Sequence, residues 1–61
     1  MKQCVFIKST TNKSGITYCL FHVGNYKYEI DIRHGDSFSQ IATVDGTCED
    51  AINVMESLAV L

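Results

Sequence analysis

The sequence predicts an α+β fold, in which a small antiparallel β-meander of three to four strands carries one C-terminal α-helix packed on one face. Three observations predict it. Short glycine-containing turns separate β-prone runs, residues 26–34 alternate apolar and charged side chains, and residues 47–61 have helical periodicity. With 61 residues, 46% of them hydrophobic, the chain is expected to form a single domain over 1–61. The predicted element order is β-β-β-(β)-α.

Four β-prone runs are predicted to form the strands. They cover residues 2–8, 16–23, 26–34 and 38–44. A polar segment over 9–15 has turn chemistry and separates the first two runs. Gly24 and Asn25 link the second run to the third, and a two-residue Gly-Asn link between β-prone runs is typical of a tight hairpin. Asp45 and Gly46 end the fourth run, which is the weakest of the predicted strands.

The C-terminal segment 47–61 is predicted to be the helix. Thr47 can cap it, and Glu49 and Asp50 fall in its first turn, where the helix dipole favours acids. Asp50 occupies the capping-box position. One side of the helix is apolar, and its repeating residues are Ile52, Met55 and Ala59.

A turn at Gly24-Asn25 predicts which strand residues share a face of the sheet. It places Val23 opposite Tyr26 and Phe21 opposite Tyr28. These residues would form the core face under the helix, together with the apolar positions Ile30 and Ile32. The other face of the third strand would carry the charged residues Lys27, Glu29, Asp31 and Arg33.

The same alternation predicts an apolar patch on the face away from the helix. If Lys8 lies opposite Ile16, Phe6 and Cys4 join this patch, and Val5 and Ile7 enter the core. Apolar patches on small soluble proteins usually mark binding surfaces. The predicted partner-binding residues are Phe6, Ile16, Tyr18, Leu20 and His22. A bulge in strand one or the 9–15 loop could instead cover the patch, because a one-residue slip inverts every side chain of a strand.

These features predict a non-enzymatic protein-binding module, acting through the apolar back of the sheet or an edge strand. Chains of this size without catalytic motifs are often small regulators or inhibitors, including phage- or plasmid-encoded ones. A homodimer is expected, because burying the second face would add to a core that so short a chain barely stabilises. No apolar run approaches the roughly 20 residues that span a bilayer, so we expect a cytoplasmic protein without a membrane partner.

No catalytic, cofactor-binding or metal-ligating residues are predicted. His22 and His34 have no nucleophile at a known spacing, and no glycine-rich phosphate motif occurs. The three cysteines fit no metal knuckle, so reduced thiols are expected.

Charge distribution leaves a nucleic-acid- or nucleotide-binding function open as an alternative. The formal net charge is −2, which disfavours a surface that is basic throughout. The N-terminal half nevertheless holds four lysines and no acid. These lysines are Lys2, Lys8, Lys13 and Lys27.

The stretch 43–52, TVDGTCEDAI, resembles the strand-to-helix junction of HicB-type antitoxins. In that family a Gly and a Thr precede two acids, an Ala and a helix packed on a small sheet. The family's Pro-Asp-Leu-Pro-Gly-type loop has no counterpart here, nor does its appended DNA-binding segment. The resemblance implies a toxin-neutralising module as a further alternative.

Overall fold

The computed structural model describes residues 5–60 and shows four antiparallel strands in one sheet, followed by a helix. The elements are β1 (Val5–Thr11), β2 (Thr17–Gly24), β3 (Lys27–His34), β4 (Ser37–Asp45) and α1 (Cys48–Val60). Strand order in the sheet follows chain order, as a meander requires. The predicted fold class is therefore confirmed, and its fourth strand is present.

A capping box starts α1, as the sequence predicts. The Asp50 backbone N–H donates to Thr47 Oγ1, and the Thr47 N–H donates to Asp50 Oδ2, both at 3.2 Å. This reciprocal pair satisfies amide donors that a helix N-terminus leaves without partners in the helix. Glu49 and Asp50 also place negative charge at the positive end of the helix dipole.

The hydrophobic core lies between α1 and one face of the sheet. Leu20 of β2, Ile30 of β3 and Met55 of α1 are completely buried there, and Ala51 lets the helix approach closely. Burying a side chain the size of leucine stabilises a fold by about 1.5–3 kcal/mol. Around this centre pack Ile7, Ile32, Ala42, Val44, Cys48, Ile52, Leu58 and Ala59.

The β2–β3 hairpin differs from the prediction by one residue in register. Asn25 and Tyr26 form the turn, and Gly24 pairs with Lys27 to close it. The moved turn alone shifts the pairing by two residues, and a bulge at Val23, between His22 and Gly24, shifts it back by one. Tyr26 takes a φ of 55°, a left-handed conformation that bulky residues rarely adopt, so a turn at this position is not what the sequence favours.

The bulge at Val23 inverts β2 relative to the prediction. Leu20 lies opposite Ile30, and Tyr18 lies opposite Ile32, so both β2 side chains are buried under α1. His22 pairs with Tyr28 on that same side. Tyr18, Leu20 and His22 therefore do not belong to the back of the sheet, and the prediction that placed them there is wrong.

For β3 the prediction is largely right, because its alternation is unambiguous. Tyr28 and Ile30 are buried in the core, and Ile32 packs against it. Tyr26 was expected in the core, but in the turn it is 72% exposed.

The first strand runs further along the chain than predicted, since Ser9, Thr10 and Thr11 extend it. A bulge between Phe6 and Lys8 divides its register. Phe6 lies opposite Phe21 rather than Tyr18, and Lys8 lies opposite Leu20 rather than Ile16. Ile7 packs against the core as expected, whereas Val5 is 51% exposed. The predictions for Lys2 and Cys4 concern residues outside the described range.

Gly46 joins the end of β4 to the start of α1. Its φ is +145°, which L-residues rarely adopt, and a Cβ added there would lie 2.8 Å from Asp50 Oδ2. Its N–H donates to the carbonyl of Tyr26 at 2.8 Å. The junction therefore holds both the helix cap and the tip of the β2–β3 hairpin.

Replacing Gly46 by alanine should lower the free energy of unfolding by about 1–3 kcal/mol, because the substitution strains the backbone and crowds the capping carboxylate. Urea unfolding followed by circular dichroism measures the change. Gly35→Ala is the matched control, since Gly35 also has a positive φ, +59°, but open space around it. A Gly46→Ala protein no less stable than Gly35→Ala would contradict this role for Asp50.

Candidate protein-binding surface

The face of the sheet opposite α1, which we name the back face, consists of the side chains that alternate with the buried ones. It combines aromatic rings with a charged row along β3. Its members include Phe6, Cys19, Phe21, Lys27, Glu29, Asp31, Arg33, Phe38, Gln40 and Thr43. The charged row is the one that the sequence predicts, whereas the aromatic rings come from the inverted β2 and from the edge strands.

Three phenylalanines, Phe6, Phe21 and Phe38, form a continuous aromatic row across the back face. The ring centroids of Phe6 and Phe21 are 5.8 Å apart with an interplanar angle of 66°. Phe21 and Phe38 are also 5.8 Å apart, at 85°. Edge-to-face pairs of this kind contribute about 0.5–1.5 kcal/mol each beyond burial. Phe6 and Phe38 are still 55% and 50% exposed, so the row presents a large apolar surface.

Asp31 lies within this aromatic surface. Cys19 of β2 and Gln40 of β4 flank it in register. Because the rings of Phe21 and Phe38 meet across β3, they come together over the strand that carries Asp31. The residue is only 8% exposed, and its Oδ1 atom accepts no hydrogen bond from any group in residues 5–60. A buried acceptor without a partner costs about 1–3 kcal/mol, more when it is charged.

Cys19 shares this environment as a free, buried thiol, 4% exposed. Burial raises the pKa of Cys19, the positive charge of Arg33 lowers it and the negative charge of Asp31 raises it, with burial the largest effect. The folded protein therefore keeps this thiol protonated to higher pH than the unfolded chain does. Its contribution to stability is complete at neutral pH and declines as pH rises above the ordinary thiol pKa of about 8.5.

The predicted partner-binding residues are distributed over three places. Phe6 lies on the back face, as expected. Ile16 is 38% exposed in the loop between β1 and β2. His22 stacks on Tyr28 on the helix side, with ring centroids 4.8 Å apart. Tyr18 and Leu20 are core residues, so they offer no surface to a partner.

Sequence reasoning missed Phe21, Phe38 and the burial of Asp31. The predicted turn placed Phe21 in the core, and Phe38 lay in the weakest predicted strand. Asp31 was assigned to an exposed charged row. The one available signal was that Cys19 and Phe21 are apolar enough to occupy either face of β2.

Backbone N–H groups of the polar β1–β2 loop donate hydrogen bonds to acceptors within the loop itself. Asn12 Oδ1 accepts hydrogen bonds from the N–H groups of Ser14 and Ile16, both at 2.9 Å. The Gly15 N–H donates to the Asn12 carbonyl at 3.0 Å. A phosphate bound there would have to break these bonds, which disfavours a nucleotide site in this loop.

Two lysines of the N-terminal half lie next to acids. Lys8 Nζ forms a 3.0 Å salt bridge with Glu56 Oε2 of α1. Lys27 lies opposite Asp45 in the β3–β4 register. These pairings reduce the positive potential that nucleic-acid binding would need.

Comparison of the chain with models of protein families, curated protein sequences and solved structures finds no match. Among residues 5–60, no three His, Cys, Asp or Glu side chains cluster in a way that could hold a metal ion. Within that range, no helix has both the length and the apolar character needed to cross a membrane.

We expect Cys19 to resist alkylation in the folded protein, because it is both inaccessible and protonated. Its reaction with iodoacetamide at pH 8 should be slower in buffer than in denaturing urea by on the order of tenfold or more. Peptide mapping by mass spectrometry assigns the label, and the partly exposed Cys48 is the internal control. Equal labelling of Cys19 in the two conditions would show that the back face opens readily.

Proposed function

We propose that this chain is a non-enzymatic protein-binding module, a small regulator or inhibitor, and that its back face is the binding surface. The observation that carries the proposal is the aromatic row, whose outer rings stay half exposed on the sheet face that α1 does not cover. Aromatic residues are enriched at protein interfaces and often dominate their binding energy.

The charges of the back face favour a protein over a nucleic acid as the partner. Glu29 and Asp31 lie in the middle of β3, between two basic residues, Lys27 before them and Arg33 after them. A nucleic acid would have to stack its nucleobases on rings that lie next to these two acids. The acids would repel its phosphates. A protein surface can present apolar and basic groups at the matching positions.

The same acids disfavour a homodimer formed by two back faces. A two-fold axis through the middle of this face would bring Glu29 and Asp31 of one copy against the same residues of the other. Like charges brought together in an interface cost several kcal/mol. We therefore assign the back face to a different protein.

The exposed edge of β4 is better suited than the back face to form a homodimer interface. This strand runs from Ser37 to Asp45, and its first eight residues, SFSQIATV, contain no charge and no proline. Edge strands usually carry charged residues or proline, which prevent pairing with other chains. In β4 the protection consists of a bulge at Ile41, whereas the other edge, β1, carries both a bulge and Lys8. Antiparallel pairing of two β4 strands would leave both back faces free on one side of the joined sheet.

Peptides selected from a random library on the immobilised protein should bind the back face. Phe38→Ser is expected to weaken their binding on the order of tenfold, since it removes an exposed anchor while leaving the core intact. Fluorescence anisotropy with labelled peptides measures the affinity. Val54→Ser is the control, because Val54 is 38% exposed on α1, away from the face. Peptides that bind Phe38→Ser as tightly as wild type, or a selection that yields none, would count against the proposal.

Replacing Ile41 by lysine should disrupt the β4-edge dimer, because it places a charge in the middle of the pairing strand. Sedimentation equilibrium is expected to give twice the monomer mass for the wild type and the monomer mass for Ile41→Lys. Val54→Lys adds the same charge on the helix and should remain dimeric. A monomeric wild type, or a dimer that persists in Ile41→Lys, would refute edge pairing.

A further inference from the structure

We infer that the back face contains an anchor site for an arginine side chain of the partner, formed by the Asp31 carboxylate and the rings of Phe21 and Phe38. This inference rests on the proposed function, because the arginine is presented by the protein that covers the face. It goes beyond that proposal by naming the chemical group that the site recognises.

The unpartnered carboxylate oxygen is the first argument. Asp31 is more than nine-tenths buried, and its Oδ1 atom is shielded from solvent without a hydrogen-bond donor in the described residues. Its side chain points to the back face, since Ile30 and Ile32 on either side of it point to the core. The free protein therefore carries a cost that a donor from another molecule would remove.

No cation among residues 5–60 donates a hydrogen bond to this oxygen. Lys8 is bound to Glu56 on the helix side. Arg33 lies on the back face, but its Nε–H donates to the carbonyl of Gly35 at 2.9 Å, which directs the guanidinium toward the β3–β4 turn. Lys27 is four residues from Asp31 along β3, a separation of about 13 Å.

The aromatic rings make the site suitable for a guanidinium group in particular. The rings of Phe21 and Phe38 lie edge to face, 5.8 Å apart, on the face of the sheet that carries Asp31. Cations bind over ring faces within about 6 Å of the centroid. Arginine can stack its planar group on a ring and donate N–H groups to a carboxylate at the same time, which the compact ammonium of lysine does less well.

The carboxylate at the centre of the site favours a cationic ligand, because the charges on either side of it along β3 are of opposite sign. Glu29 and Arg33 each lie two residues from Asp31 on the same face, Glu29 opposite Phe21 and Arg33 opposite Phe38. An anionic ligand would meet repulsion at this position.

Entry to the site requires movement of one side chain. Phe38 is on the edge strand β4 and is 50% exposed, whereas Phe21 lies on the inner strand β2 and is partly buried. Exposed side chains change rotamer within picoseconds to nanoseconds. Rotation of Phe38 would uncover Asp31 and let its ring pack on the incoming guanidinium.

The test uses N-acetyl-arginine methylamide as the probe and N-acetyl-citrulline methylamide as its neutral, nearly isosteric control. Two-dimensional NMR should show arginine-dependent shifts at the Phe21 and Phe38 rings and at the Asp31 and Gln40 amides. Citrulline should bind at least about tenfold more weakly, since it lacks the charge. Equal binding of the two probes, or shifts confined to the acids of α1, would overturn the inference.

Asp31→Asn provides the second measurement. It should abolish the arginine-dependent shifts and leave the melting temperature unchanged or higher, because it removes the negative charge of a buried carboxyl whose Oδ1 atom has no hydrogen-bond donor among residues 5–60. Arginine binding that survives this substitution would overturn the inference. If the variant fails to fold, the arginine–citrulline comparison on the wild type still decides.

The selected peptides separate this inference from the proposed function. Peptides that lose affinity in both Phe38→Ser and Asp31→Asn support both. Peptides sensitive to Phe38→Ser alone leave the protein-binding proposal standing and refute the arginine anchor. Arginine probe binding without any back-face peptide shows a guanidinium site at Asp31, but it refutes the protein-binding proposal and with it the assignment of that site to an arginine of a partner.

Discussion

The structure depends on the register of the β2–β3 hairpin. A turn at Asn25-Tyr26, together with a bulge between His22 and Gly24, brings Leu20 opposite Ile30 under the helix. Because strand side chains alternate, this one pairing decides the face of every other residue on β2. Leu20, Ile30 and Met55 are then completely buried between the sheet and the helix. Cys19 and Phe21 are left on the back face, where they surround Asp31.

Where the sequence alternates clearly, it predicts the structure correctly. In β3 a charged residue separates each apolar residue from the next. Only the apolar set can lie under the helix without burying charges, so Glu29 and Asp31 are predicted on the back face. The helix start is equally predictable, since Thr47 and Asp50 have the spacing at which side chain and backbone satisfy each other. These local rules are sufficient for the fold class and for the charged half of the candidate surface.

The aromatic half could not be predicted, because β2 is apolar on both faces. Tyr18 and Leu20 compete with Cys19 and Phe21 for the helix side, and hydrophobicity does not separate the two pairs. A bulge at Val23 decides between them, next to a turn that uses Asn25 and Tyr26, with Tyr26 in a left-handed conformation, rather than Gly24 and Asn25. The alternation of apolar and polar residues along a strand does not reveal bulges, and each bulge shifts the pairing of the residues beyond it. A register set by long-range packing can therefore override the strongest local turn signal.

The two faces of the sheet have different roles in this small fold. Packing against α1 accounts for the completely buried side chains, and the capping box and Gly46 hold the helix in place. The back face adds exposed rings and an acid whose buried oxygen has no donor in the described chain. A surface selected for stability alone would pair that oxygen or replace it with an apolar group, since either change removes a cost. The arrangement is explained if the back face is completed by another protein, whose side chains supply the contacts that residues 5–60 do not make.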